Sequence, residues 1–202
     1  MPHLKKAELI EGIVYMPSPV RLEQHAAPDT LIQTWLGSYA ARTPGTQAAG
    51  NATLRLDVDN VPQPDALLRM LPGCGGRTQL DAEGYLVGPP ELIVEIAASS
   101  VSIDLHDKLR AYRRAGVLEY LVWRTLDHQF EWFVLERDEY RSLKPDRQGL
   151  IESPGFPGLI LAVEALLRLD SAQVLDTLQA SLTGSGHRAF VQRLKSKTAP
   201  RK

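Results

Sequence analysis

The chain has 202 residues, of which 44% are hydrophobic and 23% are charged. This length supports one domain with a buried core and excludes two ordinary domains, and the composition excludes a disordered or fibrous protein. The formal net charge of −1 at pH 7 excludes a uniformly basic protein that coats nucleic acid indiscriminately.

The first part of the chain is predicted to form two short strands and a helix. Residues 8–16 are typical of a strand pair that turns at Glu11 and Gly12. Apolar residues then recur at near-helical spacing over 22–42, and Pro28 lies inside this pattern as an alternative start of the helix.

The middle of the chain is predicted to contain strands around a second helix. Residues 46–58 and 64–70 are strand candidates, and 91–97 is apolar on both faces, as in a central strand. The second helix is predicted over 103–115 and ends at Gly116, a residue type favoured just beyond a helix C-terminus. The remaining elements are predicted as strands at 118–123, 130–136, 139–143 and 149–153 and as a helix at 163–183.

The charges are unevenly distributed along the chain. Residues 1–186 hold all 24 acidic residues and 17 of the 23 Lys and Arg, which is a formal charge of −7, whereas residues 187–202 carry +6. We expect this basic C-terminal segment to be a solvated, frayed end, with contact to phosphates as the alternative.

The cysteine content and the hydropathy of the chain predict its cellular compartment. Cys74 has no second thiol with which to form an intramolecular disulfide or a cysteine zinc site. No apolar run approaches the ~20 residues of a membrane span, and the N-terminal segment does not resemble a signal peptide. These features predict a cytoplasmic protein.

Two acidic residues on predicted strands are the first candidates for chemistry, because no phosphate-binding Gly loop, zinc-binding helix or nucleophile elbow is present. Asp65 follows Pro64 at the start of one strand, and Glu95 lies inside another with apolar neighbours on both faces. A buried carboxylate needs a cation, a hydrogen-bond network or a cleft, since burying it unpaired is unfavourable. The alternative is an edge strand on which Glu95 faces water.

Lys108 is the third candidate. It lies at the border of the apolar stripe that Leu105, Leu109 and Tyr112 form on the second predicted helix, from where it can point into a cleft. The alternatives are an i,i+4 ion pair between Asp104 and Lys108, and Asp104 as the helix N-cap. Tyr112 is expected to pack in the core.

The order of these residues resembles the Uma-two family of restriction-endonuclease-like proteins, a branch of the PD-(D/E)xK nuclease superfamily. The resemblance covers about residues 8–170. It is carried by Pro64-Asp65, by the runs 91–100 and 104–120, by Glu11-Gly12, by Ser18-Pro19 before Glu23-Gln24-His25, and by 154–159.

The resemblance implies an α/β fold in which a mixed sheet is flanked by helices and forms a restriction-endonuclease-like core. With the charge distribution, it leads us to expect one nuclease-like domain over residues 1–183 and a basic C-terminal tail over 184–202.

The resemblance also implies a metal site and catalytic residues. Asp65 and Glu95 would bind Mg²⁺ or Mn²⁺ together with the main-chain carbonyl of Ile96. Carboxylates suit this role because Mg²⁺ typically uses one or two of them with substrate phosphate oxygens and water. Lys108 would orient the attacking water and offset charge in the transition state.

Three N-terminal residues match further positions of the family. Glu11, Glu23 and His25 are implied as supporting residues that contact a metal-bound water or the substrate phosphate. The chain departs from the pattern at Ala97, where the superfamily motif places a lysine, and at Arg124, where the family commonly carries aspartate.

Two functions follow from these expectations. The first is a metal-dependent endonuclease that hydrolyses DNA phosphodiester bonds, with DNA as its partner and a two-fold homodimer as an assembly that could cut both strands. The second is a catalytically inactive module of the same fold that binds nucleic acid or protein.

Overall fold

The structure is a computed structural model that describes residues 7–16 and 19–198. Ser18, part of one matching motif, and residues 199–202 of the basic segment lie outside the described residues. The strands are β1 (Glu8–Ile10), β2 (Ile13–Tyr15), β3 (Thr46–Gly50), β4 (Leu54–Arg55), β5 (Ala66–Met70), β6 (Gln79–Leu80), β7 (Leu86–Val87), β8 (Leu92–Ala97), β9 (Glu119–Arg124), β10 (Gln129–Glu136), β11 (Glu139–Leu143), β12 (Leu150–Glu152) and β13 (Ile160–Ala162). The helices are α1 (Ala27–Arg42), α2 (Leu109–Ala115), α3 (Val163–Leu167), α4 (Ser171–Leu182) and α5 (Ser185–Thr198).

Two π-helical turns and one 3-10 turn complete these elements. The π-helical turns Leu22–Ala26 and Ile103–Lys108 lead directly into α1 and α2, and the 3-10 turn Pro72–Cys74 follows β5. The predicted helices at 22–42 and 103–115 are therefore present, but each begins with a wider turn. In the described part of the chain, no helix is long and apolar enough to cross a membrane.

A six-stranded mixed sheet lies at the centre in the order β11-β10-β9-β8-β5-β3. β8 and β9 are parallel, and the other neighbouring pairs are antiparallel. Helices pack on both faces, so the predicted α/β fold with a mixed sheet is confirmed. β8 lies between β9 and β5, which confirms the predicted central strand and excludes the edge position that would expose Glu95 to water.

The two faces of β8 pack against different helices, because successive side chains of a strand point to opposite faces. Val94 and its even-numbered neighbours belong to the core that contains the buried residues of α1 and α4. Ile93 and Ala97 belong to the core that contains Tyr112 of α2. Glu95 therefore points toward the α2 side of the sheet.

Two segments depart from the sequence predictions because of backbone turns. The predicted strand 46–58 is interrupted at Asn51, which has a φ of 53°, so β3 joins the central sheet and β4 joins a smaller sheet with β7 and β6. The predicted helix 163–183 is two helices, α3 and α4, separated around Leu169, which has a φ of 57°. Asp170 then caps α4 by accepting a hydrogen bond from the Gln173 amide.

The expectation of a frayed basic end is wrong for the described residues, since 185–198 form α5. Phe190 and Leu194 of this helix are 2% and 0% exposed and belong to the core beside α1. His187 is also buried and contacts the Thr43 hydroxyl at 2.9 Å through Nε2. The basic charges of this segment predicted a solvated end, whereas three buried residues at helical spacing suffice to hold the helix on the core.

We expect Phe190→Ala to lower the free energy of unfolding by about 3–5 kcal/mol, as for other buried aromatic residues. Urea unfolding followed by circular dichroism measures this effect. Gln192→Ala, an exposed substitution on the same helix, is the control and should change the free energy by less than about 0.5 kcal/mol. Equal values for the two variants would mean that α5 does not pack on the core.

Candidate active site

Asp65 and Glu95 face each other across two neighbouring strands. β5 and β8 are antiparallel, with Ala66 opposite Val94. The same register, continued by one residue, places Asp65 opposite Glu95. Opposed residues of an antiparallel pair lie on the same face of the sheet. Both residues are buried, at 5% and 3% exposure. The strand register thus brings together two acids that are 30 residues apart in the chain.

Asp65 is held from two directions. Its Oδ2 accepts a hydrogen bond from the Ile96 amide at 2.8 Å, and its Oδ1 lies 3.3 Å from Nε2 of His25. His25 belongs to the π-helical turn before α1. Because the N–H and C=O of a strand residue point to the same side, the Ile96 carbonyl also faces the β5 side of β8.

Glu95 is held from the helix side of the sheet. Its Oε1 accepts hydrogen bonds from Nζ of Lys108 at 3.0 Å and from the Tyr112 hydroxyl at 2.7 Å. These two residues are four positions apart, which places them on one face of the helical segment that covers this side of the sheet. Lys108 therefore reaches the site from a helix, as the sequence predicted.

Two residues that the sequence did not assign to the site also contact Lys108. Its Nζ lies 3.0 Å from Oε1 of Glu8 and 3.6 Å from Oδ1 of Asp104. The predicted Asp104–Lys108 ion pair is therefore present, whereas the N-cap position belongs to Ser102. Glu8 lies on β1, and no local sequence signal marks it.

The hairpin that carries Glu8 is fixed by its own turn and by backbone pairing. Glu11 and Gly12 have φ values of 52° and 76°, as a two-residue turn between right-twisted strands requires. On the other edge of β1, Leu9 and Val61 pair through their backbones. The predicted turn is therefore confirmed, and its geometry places Glu8 toward Lys108.

The charges of the cluster are strongly coupled. Burial raises the pKa of Glu95 well above its ordinary value, the charge of Lys108 opposes this, and Asp65, Asp104 and Glu8 raise the pKa further. Burial also raises the pKa of Asp104. For Lys108, burial disfavours the charged form, but the three neighbouring carboxylates outweigh it and raise its pKa. Lys108 is therefore a permanent cation at physiological pH.

The cluster contains more carboxylates than cations, which favours a divalent metal ion. Glu8, Glu95 and Asp104 surround Lys108, Asp65 lies opposite Glu95, and Oδ1 of Asp104 is buried without a hydrogen-bond donor. The described residues contain no group of three or more His, Cys, Asp or Glu that could hold a metal ion. Mg²⁺ does not require one, because one or two carboxylates with water and substrate phosphate complete its shell. The facing pair Asp65 and Glu95 fits this type of site.

The other two predicted supporting residues lie apart from these contacts. Glu11 forms a two-point ion pair with Arg114, and its amide donates to the Asn60 side chain at 2.9 Å. Glu23 is exposed on the π-helical turn that also carries His25. Of the three supporting candidates, the structure brings only His25 into direct contact with a residue of the facing pair, among the contacts of the described residues.

Comparisons with known proteins identify the family of this chain. The model of the Uma2 family, described as "Putative restriction endonuclease", matches residues 1–164. The chain therefore belongs to the Uma2 family, and the resemblance drawn from the sequence is confirmed.

A solved structure supports the fold. The chain is similar to "a putative nuclease belonging to DUF820 from Anabaena variabilis ATCC 29413", with a TM-score of 0.62 and 16% sequence identity. The match covers 81% of this chain and 90% of that chain. At this identity the likeness establishes a shared fold. No curated protein matches the chain.

The raised pKa of Glu95 predicts how stability depends on pH without metal. Its folded-state pKa lies above that of the unfolded chain, so its stabilising contribution is complete below about pH 4 and is lost as the pH rises through the folded-state value. In EDTA, we expect the free energy of unfolding to fall as the pH rises above about 4, and to fall more steeply for wild type than for Glu95→Gln.

Urea unfolding at several pH values measures this slope. Glu136→Gln, which changes an exposed carboxylate on β10, is the control and should keep the wild-type slope. A Glu95→Gln slope identical to that of wild type would mean that Glu95 titrates normally in the folded protein.

Proposed function

We propose that this protein is a metal-dependent nuclease that hydrolyses phosphodiester bonds in DNA. The observation that carries the proposal is the buried pair of Asp65, directly before β5, and Glu95 opposite it on β8, with Nζ of Lys108 3.0 Å from Oε1 of Glu95. Hydrolysis of a phosphodiester requires a cation at the phosphate and a positioned water, and this cluster offers ligands for the first and a donor for the second. The family description and the fold support the same reaction class.

Asp65, Glu95 and the Ile96 carbonyl would hold Mg²⁺ or Mn²⁺. The ion would supply Lewis-acid stabilisation of the phosphoryl oxygens and lower the pKa of a water molecule. The Ile96 amide orients Asp65 by donating to Oδ2. Lys108 and Tyr112 both donate to Oε1 of Glu95, which fixes the rotation of that carboxylate.

Lys108 would act as a hydrogen-bond donor and a cation. Its raised pKa keeps it protonated, so it cannot accept a proton from water. It can orient the attacking water and stabilise the additional negative charge as water adds to phosphorus. The bond from phosphorus to the 3′ oxygen then breaks, and the products are a 3′-hydroxyl and a 5′-phosphate.

Tyr112 would remain neutral during this reaction. Burial and the neighbouring Glu95 raise its pKa well above the ordinary value, so its hydroxyl keeps the proton that it donates to Oε1. His25 would act at the opposite side, where Nε2 lies next to Oδ1 of Asp65. It lies partly exposed, at 24% for the side chain, and could also donate to a phosphate oxygen.

We expect Asp65→Asn and Glu95→Gln each to lower cleavage of plasmid or linear duplex DNA by at least about 100-fold, because each removes a proposed metal ligand. Calorimetry should show stoichiometric Mn²⁺ binding to wild type and loss of it in the double variant. Glu136→Gln should retain both properties, and circular dichroism checks the fold of every variant.

Two results would contradict the nuclease proposal. Cleavage at the wild-type rate by either single variant would remove these residues from the mechanism. Absence of both metal binding and cleavage in wild type, with DNA present, would favour the catalytically inactive binding module. The homodimer stays a prediction, and sedimentation of the protein with and without DNA tests it.

Glu8 and Glu11 provide a matched comparison within one hairpin, since only Glu8 contacts Lys108 in the structure. We expect Glu8→Gln to lower cleavage or Mn²⁺ affinity by about 10–100-fold, as for other residues that support a metal site. Glu11→Gln should have a smaller effect. The reverse order would mean that Glu11, as the family resemblance implied, is the acid that supports the site.

A further inference from the structure

A second charged feature lies at the other end of α1 from the proposed active site. A cavity of about 470 Å³ opens between α4, α5 and the end of α1. Three of the nine residues that line it are Arg42, Arg188 and Lys195, and none of the nine is Asp or Glu. We refer to this cavity as the basic groove.

The basic groove is built on a fixed framework. His187 contacts Thr43 with Nε2 and the Leu182 carbonyl with Nδ1, each at 2.9 Å, which joins α5 to the ends of α1 and α4. Arg188 donates to the Thr183 carbonyl, so its side chain is held at the groove. Phe190 packs in the core beneath. The cationic residues are thus positioned by tertiary packing.

α1 connects the basic groove to the proposed active site. The helix has 16 residues and is therefore about 24 Å long. His25, next to Asp65, precedes its first residue, and Arg42 is its last residue. A distance of about 24 Å corresponds to about 7 base pairs of B-form DNA.

The solvent side of α1 carries little charge between these two ends. Its exposed residues before Arg42 are Thr30, Thr34 and Ala41, which are small or neutral. Asp29 is the one acid of α1, and it accepts hydrogen bonds from the Gln33 amide at 2.8 and 2.9 Å. A polyanion could therefore lie along α1 without strong repulsion, although the chain up to residue 186 has a formal charge of −7.

We propose that the basic groove binds the phosphate backbone of a DNA duplex that extends along α1 from the active site. This inference rests on the proposed nuclease function for the identity of the ligand. Arg42, Arg188 and Lys195 would contact phosphates about 7 base pairs from the scissile bond. Backbone contacts of this kind position a duplex and add affinity without reading its sequence.

The test uses the full chain and fluorescence anisotropy of a labelled duplex of about 20 base pairs in EDTA, which separates binding from cleavage. The variant Arg42→Gln/Arg188→Gln/Lys195→Gln removes the three cations of the groove. Arg137→Gln/Lys144→Gln/Arg147→Gln removes three exposed cations around β11 and is the matched control for net charge. Arg42→Gln/Lys195→Gln leaves the Arg188 contact intact, in case that contact is needed for folding.

We expect the groove variant to bind the duplex about 100-fold more weakly than the control at about 0.1 M salt. The slope of log affinity against log salt should decrease in magnitude by about 3, at about 0.9 for each phosphate contact. The double variant, which removes two of the three cations, should show about two thirds of that decrease in slope. Circular dichroism verifies that each variant is folded.

Equal affinity and slope for the groove and control variants would overturn the proposal. Loss of binding to poly-glutamate or to phosphatidylserine vesicles, with duplex binding unchanged, would assign the groove to an acidic peptide or a membrane and would also overturn it. A duplex that binds through the groove and is never cleaved in Mn²⁺ would refute the nuclease but not the groove. Cleavage with equal binding by both variants would refute the groove alone.

Discussion

The buried carboxylate of Glu95 is the constraint around which the site is organised. It lies on a central strand, where water cannot solvate its charge, so other groups must stabilise it. Lys108 and Tyr112 donate to one of its oxygens, but Glu8 and Asp104 share the same lysine. The cluster remains rich in negative charge, and a divalent cation would offset this excess. The excess of carboxylates that needs a cation in the free protein would therefore also provide the metal ligands for metal-assisted hydrolysis.

Five segments of the chain meet at this cluster, and each is positioned for a simple physical reason. The antiparallel register of β5 and β8 places Asp65 opposite Glu95. The apolar face of α2 packs on the sheet and positions the preceding π-helical turn, which ends at Lys108. The π-helical turn before α1 carries His25, and the tight hairpin turn positions Glu8. Both π-helical turns carry a residue of the cluster, in agreement with the frequent occurrence of such turns at functional sites.

The charge distribution separates two tasks within one fold. The acidic cluster is suited to a cation and to the scissile phosphate, whereas the basic groove is suited to phosphates farther along a backbone. Arg110, Arg113 and Arg114, which lie closer to the acidic cluster in sequence, form ion pairs with Asp107, Glu139 and Glu11 and add little positive field. The cations of the basic groove, which we propose as contacts to a polyanion, lie on α5 and at the end of α1, and α5 lies beyond the residues that the family model matches.

The sequence by itself determined the elements and three central residues. Apolar strand segments, Gly116 and the Glu11-Gly12 turn predicted strands of the sheet, the end of α2 and the hairpin, because local backbone preferences and hydrophobic patterns act over a few residues. Asp65, Glu95 and Lys108 were identifiable since a charged residue within or beside an apolar segment requires a partner.

Only the tertiary structure decided how distant parts of the chain combine. Glu8 is a common surface-type residue on a short strand, and its proximity to Lys108 results from pairing between β1 and Val61. The helical state of residues 185–198 depends on burial of Phe190 against α1, which outweighs the charges that suggested a frayed end. Pairing between strands that are distant in the chain and packing between distant helices depend on contacts across the whole chain, which local sequence patterns do not specify.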